Sequence, residues 1–482
     1  MQDMRYQRIA TLSVTVVQST YPKSKWGTAM KAPVLPFLMF MSLSLLAGCP
    51  SSSSISDNFG FTALFFSADD GTAGRELWKT DGTEAGTVLV KDINPGVLSS
   101  SPRGFTPLNG AHYFFADQGT PGFELWKTDG TDAGTMLVKD IGVSDPFGFT
   151  LLNSSLYFVA DDGTTGFELW KTDGTDTGTM LVKDINPAGD GIGEENPTPF
   201  SGAIYFGADD GTTGIELWKS DGTPAGTQLL KDINPTVGSD PANFFIFQNK
   251  LFFSADDGTN GNEMWVSDGT ANGTQLFKDL NLQGSAFPVN FIELNGKLIF
   301  AAREGISASF KLWSSDGTAG GTSVLADIAP ACEVIVGGFT RVGTTLFFNA
   351  FLAGGSINGC TGAQLWKTDG TQAGTEFVAD FGNPLASALQ LTAYNGNLYF
   401  TLATEQIWRS DGTTSGTTLL KDTNPTGSDS ISNLTVFNGF LYFRADDGVN
   451  GIELWRTDGT VGGTVLFKDI NPGVLGSEPN VF

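Results

Sequence analysis

The chain is poor in the side chains on which most enzymes and metal proteins rely. Among its 482 residues there is one histidine, His112, and there are three cysteines, Cys49, Cys332 and Cys360. Histidine-based triads, zinc sites with several histidines and multi-cysteine clusters are thereby nearly excluded. Positive charge is scarce too: 27 Lys+Arg face 52 Asp+Glu, a formal net charge of −25. No basic surplus exists to displace counterions from phosphates, so nucleic acid is not an expected partner. Anionic lipid heads are not expected to hold the chain by charge alone. No apolar stripe of 3.6-residue period runs through the body of the chain, which argues against helices. Glycine (62) and phenylalanine (38) are abundant, and 40% of the residues are hydrophobic. That content fits a folded protein rather than a disordered acidic one.

Residues 31–49 read KAPVLPFLMFMSLSLLAGC. One positive charge precedes an apolar run of about fifteen residues, shorter than the roughly 20 needed to span a bilayer. The segment Leu46-Ala47-Gly48-Cys49 resembles the lipobox of bacterial lipoproteins. That resemblance implies acylation of the Cys49 thiol, cleavage just before it, and a mature chain starting at Cys49. A plain secretory signal with an accidental cysteine is the alternative. Residues 1–29 are long for a positive leader, so Met30 is the expected start, with 30–48 as signal peptide. Residues 49–55, including Ser51 to Ser54, read as a flexible tether. The expected location is the bacterial cell envelope, lipid-anchored at the outer membrane or cell surface and facing the exterior or the periplasm.

Nine of the ten tryptophans fall in one recurring motif: Trp78, Trp126, Trp170, Trp218, Trp265, Trp313, Trp366, Trp408 and Trp455. Their successive spacings are 48, 44, 48, 47, 48, 53, 42 and 47. A representative copy is LYFVADDGTTGFELWKTDGTDTGTMLVKDINP, from Leu156 to Pro187. The motif resembles that of the bacterial ELWxxDGT-repeat proteins, with drifted copies at Lys311-Leu312-Trp313 and Gln406-Ile407-Trp408. The resemblance covers 56–482 and implies a β-propeller, often attached to a secreted or surface-anchored bacterial protein; it does not imply any catalytic residue.

The residues point to the same fold without it. Each unit has four short runs rich in aromatic and β-branched residues, separated by turn chemistry. In the third unit these are Phe149–Asn153, Leu156–Ala160, Phe167–Thr172 and Thr179–Ile185. Asn-Gly at Asn109, Asn295, Asn395 and Asn438 predicts a tight hairpin between first and second strands. Asp-Gly from Asp81 to Asp458 predicts the turn between third and fourth. Four antiparallel strands in 40 to 50 residues match a propeller blade, so the expected fold is an all-β single propeller. The first unit lacks its innermost strand, and the last residues, from Ser477 to Phe482, look like the opening of a tenth unit. Nine blades, one completed by both chain ends, are expected; eight blades or an open arc are the alternatives.

Antiparallel order puts the loops between second and third strands on the same rim as the blade linkers. Paired aspartates recur in those loops: Asp69-Asp70, Asp161-Asp162, Asp209-Asp210, Asp256-Asp257 and Asp446-Asp447. Such loops are candidate calcium ligands, since calcium takes 6–8 oxygens; turn formation through backbone N–H groups is the competing reading. The Asp-Gly-Thr turn also resembles the Asp-box of sialidase-type propellers, a structural turn. The arginines a sialidase would need are scattered (Arg103, Arg303, Arg341, Arg444). The tryptophans read as packing between blades, and His112 as a core-edge residue. Cys360, in an enlarged loop of the seventh unit, and Cys332, in the linker before it, are predicted to share a rim and form a disulfide. The expected role is a monomeric, non-enzymatic binding or adhesion scaffold for a protein or glycan at the cell surface, touching the membrane through its anchor alone. A glycan-active enzyme using axial carboxylates and a calcium-stabilised structural protein are the alternatives.

Overall fold

The computed structural model describes residues 63–481, apart from 143–144, 194, 307–308, 331, 354–361, 382–389 and 403–404. The leader, Cys49 and the tether lie outside the described residues. Nine four-stranded antiparallel sheets form, as expected, a nine-bladed β-propeller. In the third blade the strands run Phe147–Leu152, Ser155–Asp161, Phe167–Thr172 and Met180–Lys183. The fourth is shorter than predicted, because Thr179 belongs to the preceding loop and Asp184 to the linker.

Turn chemistry sets the strand boundaries. Leu108 pairs with Ala111 across Asn109-Gly110, whose φ values are both positive, at 50° and 83°. Asparagine and glycine tolerate that left-handed pair, which gives the tight turn its twist. The third-to-fourth connection is longer, running from Thr80 to Val88 in the first blade. A bulge falls between Leu77 and Trp78 opposite the fourth strand, and the same shift recurs at the Leu-Trp step of other blades.

The apolar content of both strand faces is spent between blades. Nine clusters of buried side chains occupy the nine interfaces. Trp126 of blade 2 packs with Phe65, Leu77, Val90 and Ile93 of blade 1. Trp78 of blade 1 packs with Tyr442, Leu454, Phe467 and Ile470 of blade 9. The tryptophans therefore join blades, as their single strand position suggested.

The ring closes through the chain ends. Asn480–Val481 pairs with the strand Leu64–Asp69, in register Phe66 to Val481 and Ser67 to Asn480. Val481 is buried in the cluster between blades 9 and 1, and Asp69 N–H donates to Ser477 O at 3.0 Å. Both edges that an open arc would expose are thereby covered.

Val481→Asp should open this seam, with a loss of roughly 2–4 kcal/mol from the lost burial and the buried charge. Urea unfolding measures the loss, and hydrogen exchange should show amides 64–69 losing protection first.

Candidate functional site

The repeated signature is the first place to look for chemistry, because its glutamate is fully buried wherever a unit carries one. Glu76 opens the third strand of blade 1 and is fully buried. Its carboxylate accepts N–H bonds from Ile93 at 2.8 Å and Ser100 at 2.8 Å, both in the linker to blade 2, plus the Ser100 hydroxyl. Glu216 binds Ile233, Asn234 and Ser239 in the same way, and Glu453 binds Ile470, Asn471 and Ser477. Each glutamate satisfies linker amides that burial would otherwise leave without acceptors. Burial pushes the carboxyls of Glu76, Glu168 and Glu263 up to about 7, against the opposing pull of these hydrogen bonds.

In blade 8 a carboxylate from the linker itself takes over the role of the glutamate. Position 406 is glutamine there, and Asp429, at the place of Ser100 and Ser239, supplies the acid instead. It accepts from Thr423 N–H at 2.8 Å and Asn424 N–H at 2.9 Å, the equivalents of Ile233 and Asn234. Asp429 is buried, and burial raises its pKa as it does for the glutamates.

The rest of the signature is equally occupied. Asp81 Oδ1 accepts from Thr83 N–H at 2.8 Å and from the Thr83 hydroxyl at 2.7 Å. The Thr83 hydroxyl in turn accepts from Gly86 N–H, and the Thr87 hydroxyl donates to that of Thr80 at 2.8 Å. Gly82 has φ +94°, and a Cβ at Gly86 would sit 2.1 Å from Asp81 Oδ1. Both glycines of the motif thus follow from this loop. The lysine of ELWK reaches the next blade: Lys79 Nζ donates to Gly130 O at 2.7 Å, Lys127 to Gly174 O and Lys171 to Gly222 O. Arg456 closes the series on Gly82 O at 2.9 Å. A second row of lysines, ending the fourth strands, reaches the same loops, as Lys183 does at Thr227 O and Lys468 at Glu84 O.

The sequence-predicted residues divide as follows. Asp69 and Asp70 accept turn N–H groups from Gly71, Thr72 and Ala73. Asp161, Asp162, Asp209, Asp210, Asp256, Asp257, Asp446 and Asp447 repeat that pattern. Among the described residues no three acidic, histidine or cysteine side chains converge as a metal-ligand group. His112 packs its ring 4.9 Å from Phe65 of blade 1, and burial lowers its pKa to about 4. Cys332 lies half-buried against the core between blades 6 and 7; Cys360, its predicted partner, falls outside the described residues. Among the described innermost strands only Glu293 and Glu333 are acidic, and they lie at opposite ends of neighbouring strands, near opposite rims.

Sequence reasoning missed an electrical asymmetry between the rims. The majority of described lysines and arginines end on the Asp-Gly-Thr loops, as above. The opposite rim, made of blade linkers and second-to-third loops, holds the paired aspartates and few cations, and those cations are engaged. Arg75 pairs with Glu478 at 3.1 Å, Arg103 with Asp145, and Lys311 with Glu304 and Asp327. A cleft of about 380 Å³ opens on this acidic rim at the ring seam, between the linkers that flank blade 1. The signal was present in sequence as the placement of lysine relative to strand direction.

No protein-family model matches the chain, and no curated protein does. Among solved structures, the computationally designed protein Ika8 has 17% identity and a TM-score of 0.42, over 74% of this chain and 96% of that one. Puromycin hydrolase has 11% identity and a TM-score of 0.38, over 68% of this chain and 54% of that one. Prolyl oligopeptidase B from Galerina marginata has 11% identity and a TM-score of 0.42, over 72% and 55%. The chain spans about half the length of these two hydrolases. Likenesses this distant say nothing about activity.

The raised acids make stability pH-dependent. A folded carboxyl with a pKa near 7 keeps its proton where the unfolded one, at 4.5, has released it. Folding therefore takes up protons between these values, and the unfolding free energy falls as pH rises through them. Urea midpoints should be higher at about pH 5.5 than at about pH 8, and Glu→Gln at 76, 168 and 263 together should flatten that slope. Asp429→Ser should cost about 1–3 kcal/mol, and adding Gln406→Glu should restore most of it. Equal melting midpoints in calcium and in chelator are expected, since the paired aspartates already serve turn amides; a calcium-dependent rise would show that these loops load the ion.

Proposed function

We propose that this chain is a lipid-anchored protein of the bacterial cell envelope whose propeller serves as a non-enzymatic binding scaffold. The observation that carries the reading is the structural use of the charged and hydroxyl residues of the repeated signature. Glutamate, lysine, aspartate and threonine of the signature all have structural partners, which leaves recognition to unit-specific loops. Loops on a rigid body are where binding is usually placed. A protein or glycan at the cell surface is the proposed partner, and Cys49 the only proposed contact with the membrane. The proposed protein acts as a monomer. Among the described residues no helix is long and apolar enough to cross a membrane.

Strand direction supports an orientation. Leu64, where the first described strand begins, pairs with Thr80 beside an Asp-Gly-Thr loop. The first described strand therefore begins at that rim, opposite the acidic rim with its seam cleft.

Two measurements test the reading together. Metabolic labelling with a clickable palmitate analogue should mark the wild-type chain and not Cys49→Ser. Cross-linking on intact cells, followed by capture of the wild-type chain, should recover a defined surface partner. An unlabelled wild-type chain would remove the anchor, and turnover of a glycan by the purified protein would replace the scaffold with an enzyme.

A further inference from the structure

Two linkers carry the same hexapeptide, INPGVL, at Ile93–Leu98 and Ile470–Leu475. They stand near opposite ends of the chain, yet ring closure places them on either side of blade 1. The aliphatic pair at each tip contributes little to packing: Val97 is 80% exposed, Leu98 61%, Val474 79% and Leu475 82%. Corresponding tips elsewhere include Gly189-Asp190 and Gly427-Ser428, which are small or polar. Val97 and Leu475 line one cleft with Gly71, Gly74 and Arg75.

The loops that hold these tips are fixed by backbone packing. A Cβ on Gly74 would come within 2.4 Å of Leu98 O, and one on Gly71 within 2.7 Å of Asn471 Oδ1. Both glycines have positive φ, at +72° and +80°. The exposed side chains are therefore preformed for contact, and a partner meets little ordering cost. Val97 and Leu475 in the cleft, each beside a second exposed aliphatic residue of its own linker, and the 67% exposed Val449 on the adjoining loop of blade 9, form the kind of patch that marks an interaction site.

Charge selects what covers it. The cleft is lined by Asp69 and Glu478; Asp70 follows Asp69 in the same loop, and Asp446 and Asp447 hold the corresponding loop of blade 9. The one cation in it, Arg75, is already paired with Glu478. Like-charge repulsion disfavours a second copy of the same rim and an anionic lipid surface, whereas a cation with apolar neighbours satisfies both features. We propose that the seam cleft docks a positively charged peptide segment of a partner protein, one that also carries aliphatic or aromatic side chains. This deepens the scaffold reading above and rests on it.

The test uses the full-length protein and a fluorescent short lysine–leucine peptide, read by anisotropy. Val474→Ser combined with Leu475→Ser should weaken binding at least tenfold, and replacing the peptide's leucines by serine should weaken it similarly. Raising NaCl from about 50 to about 300 mM should weaken it further through screening. Leu282→Ser, at an equally exposed linker tip between blades 5 and 6, should change nothing. All substituted positions are exposed, and unchanged melting curves confirm folding. Undiminished binding by the double variant, or equal binding of the lysine–serine peptide, would overturn the proposal. Self-association lost in the double variant would also overturn it, by making a second copy the occupant. Cell-surface capture with the double variant separates the two claims. A partner still recovered leaves the scaffold standing without this cleft. Peptide binding with no surface partner recovered by either protein removes the scaffold alone.

Discussion

The architecture depends on buried carboxyl oxygens set against backbone amides. A linker that turns from the outer strand of one blade to the inner strand of the next must bury N–H groups that no sheet can satisfy. In blades 1, 3, 4, 5 and 9 the carboxyl near the start of the third strand accepts them, and in doing so fixes how the blade leads to its successor; in blade 2 Glu124 turns to its own loop instead, at Gln118 and Thr120. Removing a single acceptor would leave several donors stranded in the interior. The exchange in blade 8, where Gln406 and Asp429 take the places of glutamate and serine, shows the charge relocated while the amides it serves stay the same. In blade 6, where Lys311 replaces the glutamate, the amide of Val334, at the start of the inner strand of blade 7, donates to the Ser309 hydroxyl at 3.1 Å.

Much of the fold was legible because its cues are local and repeated. Tryptophan spacing, Asn-Gly hairpins and the four short apolar runs needed no tertiary information. Even the closure could be read, since the final residues repeat the start of a unit. The roles inside the signature were less accessible. Glutamate, lysine and aspartate stand within a few residues of one another, yet the first turns to its own linker, the second to the next blade and the third to its own loop. Partners so far apart in sequence appear only once register and rim are known. The paired aspartates were ambiguous for a different reason: turn-forming and metal-binding loops draw on the same oxygen and glycine chemistry.

The two faces of the disc differ in kind. One is laced by cations that bridge neighbouring blades through loop carbonyls, and its positive charge is largely committed to holding the ring. The other gathers carboxylates, and there the repeats depart from one another. The shared surface that makes a propeller is thus separated from the variable surface that gives an individual protein its identity. Changes to linker tips can accumulate without loosening the latches on the far side.

The two-residue strand that completes the first blade has a consequence for biogenesis. It follows all nine units in chain order, so during translation the earlier blades exist as a curved ribbon with an exposed edge at each end. Closure is then a single late event, and a truncated product would remain an unsealed spring, open to proteases and to pairing with other chains. Circularity in this protein therefore reports that synthesis has passed Asn480–Val481.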